Sequence, residues 1–107
     1  MTVQTRRLAI TSGEPAGIGP DLCLRLAERD WSDELVVLCD RKLLEARAAQ
    51  TGVSPRIRDY HAAQSARPSR QGELTVCDIP IAVPVVPGTL EVANAEYVIR
   101  LLDRAID

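Results

Sequence analysis

The sequence predicts an α/β fold, namely a layered α/β/α arrangement around a mostly parallel sheet. Short apolar runs of strand length alternate with helix-length segments, which is the element order typical of parallel sheets. A glycine-rich turn follows the first apolar run, and the final segment, Leu90–Asp107, has the clearest helical period in the chain. At 107 residues the chain forms at most one domain.

The composition excludes several functional classes. Hydrophobic residues make up 46% of the chain and charged residues 26%, as in folded soluble proteins. A net charge of -2 gives no basis for nucleic-acid binding, and the lack of Phe indicates an aliphatic core. The apolar run after Arg6 and Arg7 is too short for a signal sequence, and no apolar segment could span a membrane. We therefore expect a cytoplasmic protein.

The first elements are a strand and a helix joined by a glycine-rich segment. Arg7–Thr11 is a short apolar run, which is typical of a buried parallel strand. Pro20 suits the first turn of a helix, so a helix is predicted over Pro20–Arg29. Its predicted inner face consists of Leu22, Cys23, Leu26 and Ala27, and is broadened by Leu24.

The segment Gly13–Pro20 (GEPAGIGP) is the best candidate for a binding site. Its three glycines permit positive φ and close approach to a ligand, and N–H groups at a helix start can bind an anion. The Walker A pattern fails because Ile18 stands where glycine is needed and no Lys follows. The dinucleotide fingerprint fails at Leu22. A structural turn and a ligand-binding loop both remain open.

A second strand and helix follow. Glu34–Cys39 is largely apolar and of strand length, and Asp40 after it either caps the next helix or contacts ribose hydroxyls. The helix is predicted over Arg41–Thr51, with Gly52 closing it. Trp31 either covers a helix end or stacks on a ligand.

The middle of the chain is less regular. Arg56–Tyr60 is predicted as a short third strand, and Ala62–Gly72 as an exposed, flexible loop. Glu73–Asp78 alternates in polarity, which is typical of a half-buried strand. Prolines interrupt Ile79–Val86, so this segment is predicted as an edge strand or an irregular extended segment.

The last helix is predicted over Leu90–Asp107. In α/β units such a helix returns to another parallel strand, so we expect the sheet to be incomplete in this chain. The predicted inner face consists of Leu90, Ala93, Tyr97, Val98, Leu101, Leu102, Ala105 and Ile106.

The chemically reactive side chains are scattered. His61 is predicted to be a surface residue, and Arg67 and Arg70 either lie in solvent or contact a phosphate. Three cysteines without paired spacing are predicted to be buried, reduced thiols: Cys23, Cys39 and Cys77.

Three segments carry a family resemblance: Ile10–Asp21 (ITSGEPAGIGPD), Trp31–Asp40 and Gly88–Ala105. In this order they resemble the N-terminal portion of the 4-hydroxythreonine-4-phosphate dehydrogenase family, whose chains are longer. The core of the first segment, Gly17–Pro20, also resembles the related isocitrate and isopropylmalate dehydrogenases.

The resemblance implies an isocitrate/isopropylmalate dehydrogenase-like fold in which residues 1–107 are the N-terminal α/β segment of a larger dehydrogenase. It implies oxidation of 4-phosphooxy-L-threonine, a small phosphorylated hydroxy amino acid, with NAD or NADP and a divalent metal (zinc, magnesium or cobalt). The product, 2-amino-3-oxo-4-phosphooxybutanoate, decarboxylates to 3-amino-2-oxopropyl phosphate in pyridoxine 5'-phosphate biosynthesis. Family members are homodimers, and their catalytic and metal-binding residues have no matching positions in this chain.

Two alternatives remain: a 4-phospho-threonate dehydrogenase of the same superfamily, and a non-catalytic module that binds a nucleotide or a partner. We expect the chain alone to be inactive, and to be weakly stable or self-associating through an open sheet edge. The resemblance places the glycine-rich segment beside the cofactor cleft, with these candidate cofactor-binding residues: Gly13, Glu14, Gly17, Ile18 and Gly19.

Overall fold

A computed structural model describes residues 5–13, 15–81 and 95–106. In these residues four parallel strands form one sheet in the order β1-β2-β4-β3, with α1 and α2 on one face and α3 on the other. The predicted α/β/α arrangement is confirmed. In chain order the elements are β1 (Arg7–Thr11), α1 (Gly19–Leu24), a 3-10 helix (Arg25–Glu28), β2 (Glu34–Cys39), α2 (Arg41–Thr51), β3 (Arg56–Asp59), β4 (Glu73–Asp78) and α3 (Ala95–Ile106).

The position of each strand in the sheet decides its burial. In the described sheet β1 is an edge strand and Leu8 is 41% exposed, so the prediction of a buried strand was wrong. β4 lies between β2 and β3, and its residues Glu73–Val76 are buried, so the prediction of a half-buried strand was also wrong. Both errors arose because the apolar pattern of a strand does not show which strands lie beside it in the sheet.

The helix predicted over Pro20–Arg29 is divided into α1 and the 3-10 helix, which ends at Glu28. Its predicted inner face is confirmed for Cys23, Leu24 and Ala27, but Leu22 is 53% exposed. Apolar side chains occupy two neighbouring stripes of this segment, so periodicity alone does not choose between them. The buried stripe consists of Pro20, Cys23, Leu24 and Ala27.

The helix predicted over Arg41–Thr51 is confirmed at both ends. Gly52 has a φ of 78°, and its N–H donates to the carbonyl oxygen of Ala48 at 3.0 Å, as in a helix closed by glycine. Its inner side packs on the core between the sheet and α1, as predicted, through Leu43, Leu44 and Ala48.

On the opposite face, α3 packs through Tyr97 and Leu101, which are fully buried against β2. The predicted inner face is therefore confirmed in part. Leu102 and Ile106 were predicted to be inside but are 51% and 84% exposed, because the helix contacts the sheet along one narrow stripe. The predicted helix start at residues 90–94, its last residue, 107, and residues 82–86 of the predicted extended segment lie outside the described residues.

The connection Ala62–Gly72 is largely exposed, as predicted, and its flexibility remains a prediction. Ser69 ties it to the start of β2: its carbonyl oxygen accepts the N–H of Trp31 and its hydroxyl accepts the N–H of Leu35, both at 2.9 Å. β3 ends at Asp59, one residue earlier than predicted. In the part of the chain that the structure describes, every helix is too short or too polar to cross a membrane.

Candidate functional site

The carboxyl ends of the parallel strands meet at one edge of the sheet, which we call the carboxyl edge. It is formed by the glycine-rich segment after β1, by Asp40 after β2, and by Asp78 at the end of β4. Asp78 Oδ1 accepts the N–H of Arg41 at 2.9 Å, which joins β4 to the start of α2. Open α/β sheets bind their ligands outside this edge, so it is the candidate site.

The backbone conformation of the loop requires glycine at two positions. Gly13 has a φ of 73°, a conformation that side chains rarely adopt. At Gly19 an added Cβ would lie 1.8 Å from the carbonyl oxygen of Ser12, so only glycine permits this close backbone contact. These positions support the structural-turn interpretation of the glycine-rich segment.

A buried arginine of α2 fixes the shape of the loop. The Arg47 side chain is 4% exposed, and its guanidinium donates to the carbonyl oxygens of Pro15 at 2.8 Å and Gly17 at 3.2 Å. It also pairs with Asp21 Oδ2 at 2.8 Å. Two carbonyl oxygens of the loop therefore point inward, toward the guanidinium of Arg47.

Sequence reasoning missed Arg47, although a signal was present. Arg47 occupies the inner stripe of α2 with Leu43, Leu44 and Ala48, where a charged residue is unusual. A buried cation in such a stripe requires acceptors, and the glycine loop is where they are found.

The loop does not have the features of a phosphate cradle. α1 has only six residues, its N-cap Ile18 makes no side-chain cap, and Asp21 is paired with Arg47. Ile18 is 72% exposed, an unusual position for a large apolar side chain at the centre of a loop. The loop can therefore offer a ligand an apolar surface.

Four of the five predicted cofactor-binding residues lie between the end of β1 and the first residue of α1: Gly13, Gly17, Ile18 and Gly19. The fifth, Glu14, lies outside the described residues. That these residues bind a cofactor remains a prediction.

Both carboxylate oxygens of Asp40 accept hydrogen bonds from backbone N–H groups of this chain. Its Oδ1 accepts the N–H of Leu43 at 2.9 Å and its Oδ2 accepts the N–H of Ile81 at 2.8 Å, and the residue is 6% exposed. The helix-capping interpretation is confirmed. The same carboxylate joins the start of α2 to the chain that leaves β4.

Tyr97 links α3 to the same edge. Its hydroxyl oxygen accepts the N–H of Asp40 at 2.8 Å, and the side chain is fully buried beside Ser12 and Cys39. Burial raises the pKa of the Tyr97 hydroxyl and the pKa of the Cys39 thiol, so both groups are held neutral. The carboxyl edge is thus joined to both layers of helices.

The amino ends of the strands form a different polar cluster, built from ion pairs. Glu34 at the start of β2 pairs with Arg7 at 2.5 Å. Glu73 at the start of β4 is 4% exposed in its side chain and lies within 4 Å of three arginines: Arg56 at 3.3 Å, Arg58 at 3.9 Å and Arg67 at 2.9 Å. We call this set, with Arg6 and Asp33 beside it, the amino-end cluster.

The other candidate residues have structural positions. Trp31 Nε1 donates to the carbonyl oxygen of Leu26 at 2.8 Å, so the interpretation that it covers a helix end is confirmed. His61 is exposed, as predicted. The three thiols are free, with two buried as predicted and the third half-buried: Cys23, Cys39 and Cys77. Across residues 5–13, 15–81 and 95–106, no three His, Cys, Asp or Glu side chains are grouped to hold a metal ion.

The open parallel sheet and the glycine loop at its carboxyl edge define an α/β protein of the class whose ligand sites lie outside that edge. Comparison with known proteins is more specific. The chain is 50% identical over 101 residues to the 4-hydroxythreonine-4-phosphate dehydrogenase of Yersinia pseudotuberculosis, covering 94% of this chain and 30% of that protein. It is 45% identical over 103 residues to the enzyme of the same name from Vibrio cholerae, covering 96% and 31%.

Solved structures agree. The structure of a Salmonella typhimurium protein, itself proposed to be a 4-hydroxythreonine-4-phosphate dehydrogenase, matches with a TM-score of 0.79 and 28% identity, covering 95% of this chain and 33% of that one. The 4-hydroxythreonine-4-phosphate dehydrogenase of Klebsiella pneumoniae matches with a TM-score of 0.78 and 25% identity, covering 94% and 32%. No protein-family model matches the chain.

These comparisons confirm the resemblance predicted from the sequence. The chain is similar to the N-terminal portion of 4-hydroxythreonine-4-phosphate dehydrogenases, and it has their isocitrate/isopropylmalate dehydrogenase-like fold. It spans about 30% of the length of the curated relatives that it matches.

Proposed function

We propose that this chain is the N-terminal portion of a dehydrogenase that depends on NAD(P) and a divalent metal, oxidises 4-phosphooxy-L-threonine, and acts in pyridoxine 5'-phosphate biosynthesis. The observation that carries the proposal is 50% identity over 94% of the chain to a relative of that enzyme name. The ketone product, 2-amino-3-oxo-4-phosphooxybutanoate, would lose CO2 to give 3-amino-2-oxopropyl phosphate.

The contribution of this chain is one wall of the cofactor cleft. Arg47 holds the carbonyl oxygens of Pro15 and Gly17, so the loop is fixed before a ligand arrives. Ile18 projects from this fixed loop and offers an apolar contact to a ring of the cofactor.

The reacting groups lie elsewhere. When bound, the divalent metal would polarise the alcohol and the nicotinamide would accept the hydride. The described residues of this chain group no three metal-ligating side chains, and we assign no ligand or proton-transfer step to them. The role of the chain in the reaction is to bind and orient the cofactor.

A hybrid protein tests the proposal. Residues 1–107 would replace the matched N-terminal portion of the Yersinia pseudotuberculosis relative, and NAD+ and NADP+ reduction would be measured with 4-phosphooxy-L-threonine and a divalent metal. We expect turnover by the hybrid and none by the 107-residue chain alone. A folded hybrid that binds the substrate but does not reduce NAD+ or NADP+ would contradict the proposal that residues 1–107 supply a working part of the cofactor site.

We propose further that the complete enzyme is a cytoplasmic homodimer, as expected for the family. Light scattering of the hybrid protein measures this directly. A mass of two chains across a tenfold concentration range is the expected result, and a monomer that retains full turnover would contradict it.

A further inference from the structure

A cavity of about 280 Å³ lies on the α3 face of the sheet. Its floor is apolar and is formed by Ala9 of β1 and by Val36 and Leu38 of β2. Ala105 of α3 and Ala62, from the connection after β3, line it from above and from the side. Ligand pockets typically measure about 300–1,000 Å³, so this cavity has room for a small molecule with an apolar body.

Two arginines line the same cavity, and no Asp or Glu is among the described residues that line it. The first is Arg7, whose guanidinium donates to the carboxylate of Glu34 and to the carbonyl oxygen of Gln64. A guanidinium has five N–H donors, so Arg7 keeps donors for a further acceptor. Its central carbon lies 5.1 Å from the centre of the Tyr60 ring, which also lines the cavity.

The second arginine, Arg104, is exposed in the last turn of α3. Within the part of the chain that the structure describes, its guanidinium has neither an ion pair nor a hydrogen bond. Arg100, one turn earlier, donates instead to the carbonyl oxygen of Pro80 at 2.9 Å. The charge of Arg7 is matched by Glu34, whereas the charge of Arg104 is not matched, so the cavity has an excess of positive charge.

We propose that this cavity binds a small organic carboxylate, whose apolar body lies on Val36 and Leu38 and whose carboxylate group lies between Arg7 and Arg104. Guanidinium groups donate paired N–H groups that match the planar geometry of a carboxylate. The apolar floor favours an anion that carries a flat hydrocarbon body over a hydrated inorganic anion.

The proposed carboxylate site is separate from the candidate functional site. It lies on the α3 face, whereas α1, which follows the glycine-rich segment, packs on the opposite face. None of the residues that line the cavity contacts the glycine-rich segment through a hydrogen bond in the described structure. The proposal is therefore independent of the proposed reaction.

Cys77 provides a readout of occupancy that does not depend on enzyme activity. Its half-buried thiol lines the cavity, whereas Cys23 and Cys39 are buried in the core on the opposite face. Alkylation of Cys77 by the neutral reagent iodoacetamide would be followed by peptide mass spectrometry, in the 107-residue chain and in the hybrid protein. Unreacted Cys23 and Cys39 verify in the same sample that the chain is folded.

Three probes of one shape separate charge from apolar contact: benzoate, its neutral analogue benzamide, and the cation benzylamine. We expect benzoate to slow the alkylation of Cys77 at least about fivefold, with a half-maximal effect near roughly 1 mM, the affinity of a ligand this small. Benzamide should need about tenfold higher concentrations, because it makes no charge-assisted hydrogen bonds. Benzylamine should not protect the thiol.

A matched pair of substitutions on α3 tests the part of Arg104. Arg104→Gln should weaken protection by benzoate about tenfold, as expected for the loss of a hydrogen bond between charged groups, and leave protection by benzamide unchanged. Arg100→Gln makes the same change one turn earlier, on a guanidinium that bonds to Pro80, and should alter neither. Both side chains are exposed, so both variants should fold.

Four results would overturn the proposal. Absence of protection by benzoate would show that the cavity does not bind the carboxylate. Equal protection by benzoate and benzamide would show an apolar cavity in which Arg104 serves only the helix dipole. Equal effects of Arg104→Gln and Arg100→Gln would exclude Arg104 from the site. Protection in the 107-residue chain but not in the hybrid would show that the polypeptide after residue 107 fills the cavity.

Discussion

Different kinds of interaction stabilise the two ends of the sheet. At the carboxyl edge, buried groups with short hydrogen bonds join three elements, and the cation that holds the glycine loop, Arg47, has a side chain that is 4% exposed. At the amino-end cluster, Glu34 and Glu73 are buried but several of their arginine partners are open to water; the side chain of Arg56, for example, is 79% exposed. Buried hydrogen bonds hold the groups of the carboxyl edge in fixed positions, whereas the partly exposed ion pairs of the amino-end cluster are screened by salt.

The difference matches the use that we propose for each end. A cofactor wall must keep its shape before the ligand binds, and the buried contacts of Arg47 and Asp40 do this. The amino-end cluster holds the long connection between β3 and β4, where small movements do not affect the cofactor wall.

The largest effect should come from Arg47→Met. This change leaves Asp21 and two loop carbonyls without their donor, and we expect the free energy of unfolding to fall by about 2–3 kcal/mol. Urea unfolding measures it, with Lys42→Met on the exposed side of the same helix as the control. A loss no greater than that of Lys42→Met would show that Arg47 does not hold the loop.

Alkaline pH should weaken the carboxyl edge and the core beneath it. Burial raises the pKa of the Cys23 thiol to about 12, and burial likewise raises that of Cys39. The unfolded thiols ionise near pH 9 and the folded ones do not, so this stability is present below pH 9 and is lost as the pH rises. We expect a slope of about 1.4 kcal/mol per pH unit for each thiol, measured by urea unfolding between pH 8 and 10.5.

The control for this slope is Cys23→Ala, which removes one titrating group whatever its effect on packing. The pH slope of its unfolding free energy should be shallower than that of the original chain. An unchanged slope would mean that Cys23 is not the buried thiol described above.

The amino-end cluster should respond more weakly. Glu73→Gln removes the charge shared by three arginines, but two of these are exposed, so we expect a loss of about 1 kcal/mol in the free energy of unfolding. Adding 0.5 M NaCl should shrink this loss and leave the effect of Arg47→Met unchanged. Equal salt sensitivity of the two variants would remove the distinction between the two ends.

The smallest effect should appear in acid, at the same end of the sheet. The hydrogen bonds from Arg6 lower the pKa of the Asp33 carboxyl below its unfolded value. Their contribution is therefore present above about pH 4 and is lost as the pH falls through the lowered value. Asp33→Asn should flatten the acid limb of the stability profile slightly and leave the alkaline limb unchanged, as measured by urea unfolding from pH 2.5 to 6.

The bounds of several helices and strands could be predicted from the sequence, but the order of the strands in the sheet could not. The bounds of β2 and α2, the Asp40 cap and the Gly52 end follow from chemistry within a few residues, and all are confirmed. The edge position of β1 and the central position of β4 depend on strand order, which no local pattern contains.

The contacts that shape the candidate site could not be predicted either, because they join residues that are far apart in the sequence. The three glycines and the exposed Ile18 are visible as a motif, but the motif does not say that Arg47, thirty residues beyond Gly17, fixes it. Tyr97 likewise reads as a core residue of a helix, and only the fold brings its hydroxyl to Asp40.

The role of the loop as a cofactor wall is most directly tested by the KM of the hybrid protein for NAD(P)+. Ile18→Ser should raise it about tenfold, because losing the burial of an isoleucine costs roughly 1–2 kcal/mol, while stability stays unchanged. Ile106→Ser, the same change at an isoleucine that is 84% exposed at the far end of α3, should leave KM unchanged. A KM for NAD(P)+ that Ile18→Ser does not alter would contradict the proposed cofactor wall.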